Sequence, residues 1–229
     1  MNDDQQALSK FTGSARLFPL PDLVLFPQVI APLHIFEPRY RELMADALAG
    51  DRLIALALLK PGWESDYEGK PAVHPIACLG RIVAEQALPD GKFNMLLRGI
   101  SRIRLGGELS TNQPFRSARA KLLQDGPLPE VDTAMALRRE LSERVLPRFA
   151  ATGPAREQLR ELFQGELPLG PLCDVLSFAL PLPTEDKQVL LELLDVAMRA
   201  RRLIEQIDGL AATPIVTGDR KFPPDFSSN

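Results

Sequence analysis

Apolar and polar residues are patterned in two different ways along this chain. From about residue 14 to residue 125 the apolar residues come in short runs or alternate, the spacing of strands. From about residue 126 to residue 210 they recur every three or four positions, the spacing of helices. The pattern predicts an α+β protein: a β-rich segment over 14–125 with one inserted helix, a helical segment over 126–210, and an extended tail over 211–229.

The first segment opens with "LFPLPDLVLFPQVIAPLHIFEPRYRELMADALAG", Leu17 to Gly50. Proline donates no ladder hydrogen bond, so strands accept it only on an open edge or at a bulge. In one unbroken strand Pro27 and Pro32 would lose donors on opposite edges. A strand near Leu17 to Leu20 and a break between Phe26 and Pro32 are therefore expected, with "LHIF" resuming the sheet. Pro38 suits the first position of a helix. Tyr40, Leu43, Met44, Ala47 and Leu48 make that helix's apolar stripe, and Gly50 is placed to end it. "RLIALALLK" is apolar on both faces, as in a buried strand. "AVHPIACLGRIVAEQAL" is a long strand broken near Gly80, and "PDG" at 89–91 turns it into "KFNMLLRGISRIRL". "FRSARAKLL" adds a further strand.

In the second segment Ala134, Leu137, Leu141 and Val145 share a face of a helix over Glu130 to Ala150. Shorter helices are expected around Ala155–Gln164 and Pro171–Leu180. Thr184 is placed to cap another helix, and Asp195 to cap one more.

Composition narrows the class. With 229 residues, 45% hydrophobic and 25% charged, the chain can bury a core without disulfides. Cys78 and Cys173 are expected free in a reducing compartment. The start "MNDDQQALSK" has no signal-peptide pattern, and Leu53 to Leu59 is far too short to span a membrane. A cytoplasmic protein is expected. A net charge of −3 gives no general attraction to nucleic acid.

Little here promises catalysis. There is no Gly-x-Ser-x-Gly, and the pairs Gly69-Lys70 and Gly91-Lys92 lack the upstream glycine of a phosphate-binding loop. His34 is expected to brace the strand-to-helix junction by bonding to backbone or to Glu37. His74 and Cys78 have no paired Cys-x-x-Cys, so neither a metal nor any cofactor is expected. Arg98, Arg102 and Arg104 fall on one face of a strand, with Arg116 on the next, which raises RNA binding. No aromatic residues interleave them for base stacking, so a solvated surface is the simpler expectation. The candidate contacts for a partner are Trp63 and Tyr67 in the polar loop "KPGWESDYEGKPAVHP", together with Phe26 and Phe93.

The elements "FPL", "LFP" and "PLHIFEPRY", then "LGRI", "LPDGKFNMLLRGISRIRL" and "FALPLPTEDKQVLLELLD", resemble in order the N-terminal, substrate-binding domain of Lon proteases from about Arg16 to Asp208. The resemblance implies a PUA-like β-rich subdomain followed by a helical bundle. It also implies substrate recognition as the role. The ATPase and serine–lysine peptidase motifs of Lon are not found, so a free-standing, non-catalytic module is expected. It would bind unfolded polypeptide, or a protease or chaperone, by sheet-edge pairing or in an apolar groove between its halves. The alternative is an RNA- or small-ligand-binding protein using the PUA-like half.

Overall fold

The structure, a computed structural model, describes residues 3–67, 69–149 and 153–210. They fall into two compact units, one ending at Leu123 and the next beginning at Gln124.

Six strands build the first unit: β1 (Ser14–Leu20), β2 (Ile30–Ile35), β3 (Leu53–Leu58), β4 (Ile76–Ala87), β5 (Phe93–Glu108) and β6 (Ser117–Leu123). Their order is β2-β5-β4-β3-β1-β6, and β6 also pairs with β5. The sheet therefore closes through β5, β4, β3, β1 and β6, leaving β2 outside the ring. Only β1 and β3 run parallel; the other ladders are antiparallel. The long strand β5 makes this possible. Its first half pairs with β2 and its second half with β6, while β4 covers its other side.

One core cluster of this unit is built from small side chains: Ala15, Ala55, Ala57, Ala77 and Ala118 alternate with Leu17, Leu53, Leu79, Ile100 and Ile103. A small barrel has no room for ten large ones. β3 is buried at every position, as its two-sided apolar run predicts. The inserted helix α2 (Pro38–Ala49) buries Tyr40, Leu43, Met44 and Ala47 and packs on β1 and β2. A short helix α1 (Asp3–Ser9) precedes β1. The polar start of the chain gives no sign of it. Its Asp4 bridges Arg81 at 2.9 Å and Arg98 at 3.1 Å, and Ala7 and Leu8 pack on the core cluster.

The proline pattern resolves as expected for Pro27 and Pro32, which are separated by a turn. Val29 donates back to Phe26, and Gln28 takes a left-handed φ of 69°. Gly99 donates to Val29 at 2.8 Å, so along β2 the bonded pairs recur at Ala31, Leu33 and Ile35. Pro32 consequently turns its nitrogen away from β5, toward the open edge.

The arginine stripe needs correction. Leu79 pairs with Ser101 and Gly80 with Gly99, so Ile100 is an extra residue in β5. An extra residue reverses the alternation beyond it. Arg98 therefore lies on the opposite face from Arg102 and Arg104. Arg98 is tied to Asp4, Arg102 is buried, and Arg116 donates to Glu108 and to the Pro71 carbonyl. These residues do not form one cationic surface.

The second unit contains α3 (Val131–Val145), α4 (Pro154–Gln164), α5 (Leu169–Ala179), α6 (Thr184–Glu192) and α7 (Val196–Gly209). Thr184 is the first helical residue rather than the cap; the carbonyl of Pro183 already accepts from Lys187 at 3.0 Å. Asp195 does cap α7, its carboxylate accepting from the Met198 N–H at 2.9 Å. At the centre Arg199, with no exposed side-chain surface, donates to the Leu193 carbonyl at 2.8 Å and pairs with Asp125 at 2.5 Å and Asp174 at 3.2 Å. The expected tail lies outside the described residues.

Candidate functional site

Beside α2 the first unit opens into a cleft of about 300 Å³ lined by aromatic and aliphatic side chains. Phe18 comes from β1, Leu33, His34 and Ile35 from β2, and Tyr40 from α2. Phe36 and Glu37 join β2 to α2, and Trp63 and Tyr67 reach in from the loop after β3. Local sequence accounts for the junction. Glu37 precedes Pro38 and is held extended (ψ 136°), so the chain turns sharply from strand to helix and leaves Phe36 40% exposed at the bend.

The loop is fixed to that junction. The Tyr67 hydroxyl donates to Glu37 Oε1 at 2.6 Å. Arg39 donates to Glu37 Oε2 at 3.0 Å and to the Tyr67 carbonyl at 3.3 Å. The Arg39 guanidinium carbon lies 4.8 Å from the Tyr40 ring centre and 4.9 Å from that of Tyr67. The Trp63 and Tyr67 rings meet edge to face at 5.5 Å, and those of Phe18 and Tyr40 at 4.6 Å. Burial raises the Tyr67 phenol above its ordinary range, and its bond to the Glu37 carboxylate adds to this. Burial raises Tyr40 further, partly offset by Arg39.

Of the four predicted contacts, Trp63 and Tyr67 are half-buried and line the cleft together. Phe26 has no exposed surface; it is a core residue at the turn before β2, out of reach of a partner. Phe93 sits half-buried beside Ile35 at the β4–β5 hairpin and does not line the cleft. His34 bonds Asn94 across the β2–β5 ladder at 2.8 Å, not Glu37, whose oxygens are engaged by Tyr67 and Arg39. His74 lies before β4 rather than within it, and Cys78 and Cys173 are buried thiols not joined in a disulfide. Among the described residues no group of three His, Cys, Asp or Glu side chains is placed to hold a metal ion.

From sequence alone Tyr40 is placed only in the apolar stripe of α2 and Phe18 only in the packing of a sheet edge, and Phe36 is not singled out. A signal existed for Phe36: Ile30, Pro32, His34 and Phe36 continue one outward stripe, and a large aromatic there has no core to enter. Among the described residues no serine, threonine, cysteine or lysine lines the cleft; Asp22 and Glu37 bring carboxylates to it, and Glu37, the Tyr67 hydroxyl and the imidazole Nδ1 of His34 are already bonded. Such a cavity can hold apolar side chains.

Residues 14–209 match the family described as the ATP-dependent protease La (LON) substrate-binding domain. This chain belongs to that family. Lon protease of Desulfosudis oleivorans is 28% identical over 87% of the chain, and Lon protease of Escherichia coli 27% identical over 84%. The chain spans about a quarter of the length of these curated relatives (24% of each). Among solved structures, the N-terminal domain of Mycobacterium avium complex Lon protease superposes with a TM-score of 0.66 at 18% identity, covering 85% of this chain and 98% of its own. A Lon N-terminal domain protein from Xanthomonas campestris gives 0.60 at 22% identity, covering 84% and 97%. The Lon domain fold is thus α+β, as the sequence pattern predicts. Among the described residues no helix is long and apolar enough to cross a membrane.

Proposed function

We propose that the barrel unit of this Lon-domain protein is a polypeptide-recognition module, non-catalytic in itself, that takes apolar or aromatic side chains of unfolded chains into the cleft beside α2. The observation that carries this reading is the set of partly exposed aromatics, Phe36, Trp63 and Tyr67, held in place by the Glu37–Arg39–Tyr67 bonds around an open cavity. A preorganised aromatic pocket loses little entropy on binding. Membership in a substrate-binding family supports the same reading.

Capture of side chains is favoured over strand addition. β2 is the strand left outside the ring, but Pro32 offers no N–H midway along its outer edge. One cleft of this size buries far less than the ~1,000 Å² of a stable interface, so affinity on the order of micromolar or weaker is expected.

Trp63 is the only tryptophan in the chain, so it reports the cleft directly. Titrating a tryptophan-free, Phe- and Leu-rich unfolded peptide should change Trp63 fluorescence saturably, and Phe36→Ser should weaken that binding about tenfold. No fluorescence change, or binding indifferent to Phe36→Ser, overturns the reading.

A further inference from the structure

The three most exposed large apolar residues described in the chain are Leu128, Val131 and Met135, at 78%, 72% and 64%. They lie within the helical unit, on the approach to α3 and along its first two turns, at spacing i, i+3 and i+7. Val131 and Met135, at i and i+4 on α3, share one face of that helix, and Leu128 extends this apolar stripe into the non-helical segment just before it. The stripe borders a cavity of about 400 Å³ whose other lining includes Leu167, Pro168 and Pro171, the segment that leads into α5. That segment is firmly held. Arg138 donates to the carbonyls of Phe163 and Gly165, at 3.0 and 3.1 Å, and to that of Leu167.

The charge around the groove is mainly acidic. Glu166 lines it, and Glu130 and Asp132 stand exposed at the start of α3. None of the three forms an ion pair among the described residues. Arg138, the only cation lining the groove among the described residues, keeps its charge but directs its donors to carbonyls of the chain rather than to the rim. An apolar trough with an acidic rim complements an apolar stripe flanked by Lys or Arg. The backbone of the groove indicates the occupant's secondary structure. Pro129, Pro168 and Pro171 line it without N–H donors, so an extended strand would find few ladder bonds. A helix satisfies its own backbone and needs only side-chain contacts.

We propose that this groove is a second docking surface, distinct from the aromatic cleft, and that it takes the apolar face of a basic amphipathic helix from a partner protein. Val131 and Met135 lie about one helical turn apart, roughly 6 Å along α3, and Leu128 extends the apolar surface beyond the helix start, which suits anchors at i and i+3 or i+4 of the incoming helix. Met135 gives the surface an adaptable side chain, suited to more than one apolar anchor.

The test uses the full chain and a fluorescein-labelled Leu/Lys amphipathic peptide of roughly 18 residues, about five turns. Its controls are a Leu/Glu peptide of the same pattern and a scrambled Leu/Lys peptide. Anisotropy should show the Leu/Lys helix binding at least about tenfold tighter than either control. The double variant Val131→Ser/Met135→Ser should weaken it by at least that factor with an unchanged melting profile. Asp132→Lys/Glu166→Lys should also weaken it and flatten its salt dependence. Equal binding of the scrambled peptide overturns the proposal, as does indifference to either double variant. Loss of binding in Trp63→Ala with the α3 variants unaffected places the peptide in the aromatic cleft and also overturns it. So does a protein dimer dissociated by Val131→Ser/Met135→Ser, which makes a second copy the occupant.

Discussion

Tyr40 and Tyr67 are the only tyrosines in the chain, and both phenols are raised above their ordinary range by burial. For Tyr67 the donated bond to Glu37 adds to the shift, because deprotonation would set two anions 2.6 Å apart. A raised phenol pKa means that the folded protein holds its proton more tightly than the unfolded chain does. The stability this contributes is complete below the unfolded value, about pH 10, and falls as pH rises beyond it. Tyrosinate absorbance of the native protein should therefore develop at higher pH than in denaturant. Tyr67→Phe should leave a single, still later transition. A native titration that overlays the denatured one would contradict the burial of both rings. Arg199 supplies a second test at this scale. Its guanidinium has no solvent contact and stands between Asp125 and Asp174, so Arg199→Ala leaves Asp174 buried without its cation. The expected loss is about 3–5 kcal/mol by denaturant unfolding. Arg199→Lys, which keeps the charge but not the fork, should lose less.

Among the elements, β2 and the turn before it are the most sensitive. A Cβ on Gly99 would lie 2.1 Å from the Phe26 carbonyl oxygen, a backbone atom that cannot simply rotate away. Gly99 also exchanges hydrogen bonds with Gln28 and Val29, joining the turn to β5. Gly99→Ala should destabilise the barrel by about 1–3 kcal/mol, the range for overpacking, and enter as faster unfolding. A change below 0.5 kcal/mol, or about that, would mean that the turn yields more readily than its bonds suggest. The break between Pro27 and Pro32 was legible because proline chemistry is local. The two-sided apolar run of β3 and the Pro38 start of α2 were legible for the same reason. Positions set by pairing were not. The face of Arg102 depends on Ile100 being an extra residue opposite Leu79 and Gly80, and nothing in "LLRGISRIRL" announces that. The cleft was half legible: Trp63 and Tyr67 stood out as aromatics in a polar loop. Their partner Glu37 lies 30 residues from Tyr67 in sequence, and the bond between them exists only in the fold.

At the scale of the whole molecule, each unit has its own centre: the alanine-rich cluster of the barrel, and the Arg199 network with Leu172, Leu176, Leu203 and Ile207 in the helical unit. Two cores need not unfold as one, so a single melting temperature is not guaranteed to describe both. The chain carries probes that separate them. Trp63, its sole tryptophan, lies in the barrel unit and follows that unit alone. Far-ultraviolet circular dichroism follows mainly α3 to α7, which hold most of the described helical residues. Arg199→Ala should therefore shift the dichroism transition to lower denaturant and leave the Trp63 transition near its original midpoint. Gly99→Ala should do the converse. If each variant moved both transitions together by the same amount, the units would be one cooperative body, and the cleft and the α3 groove would have to be treated as thermodynamically linked sites.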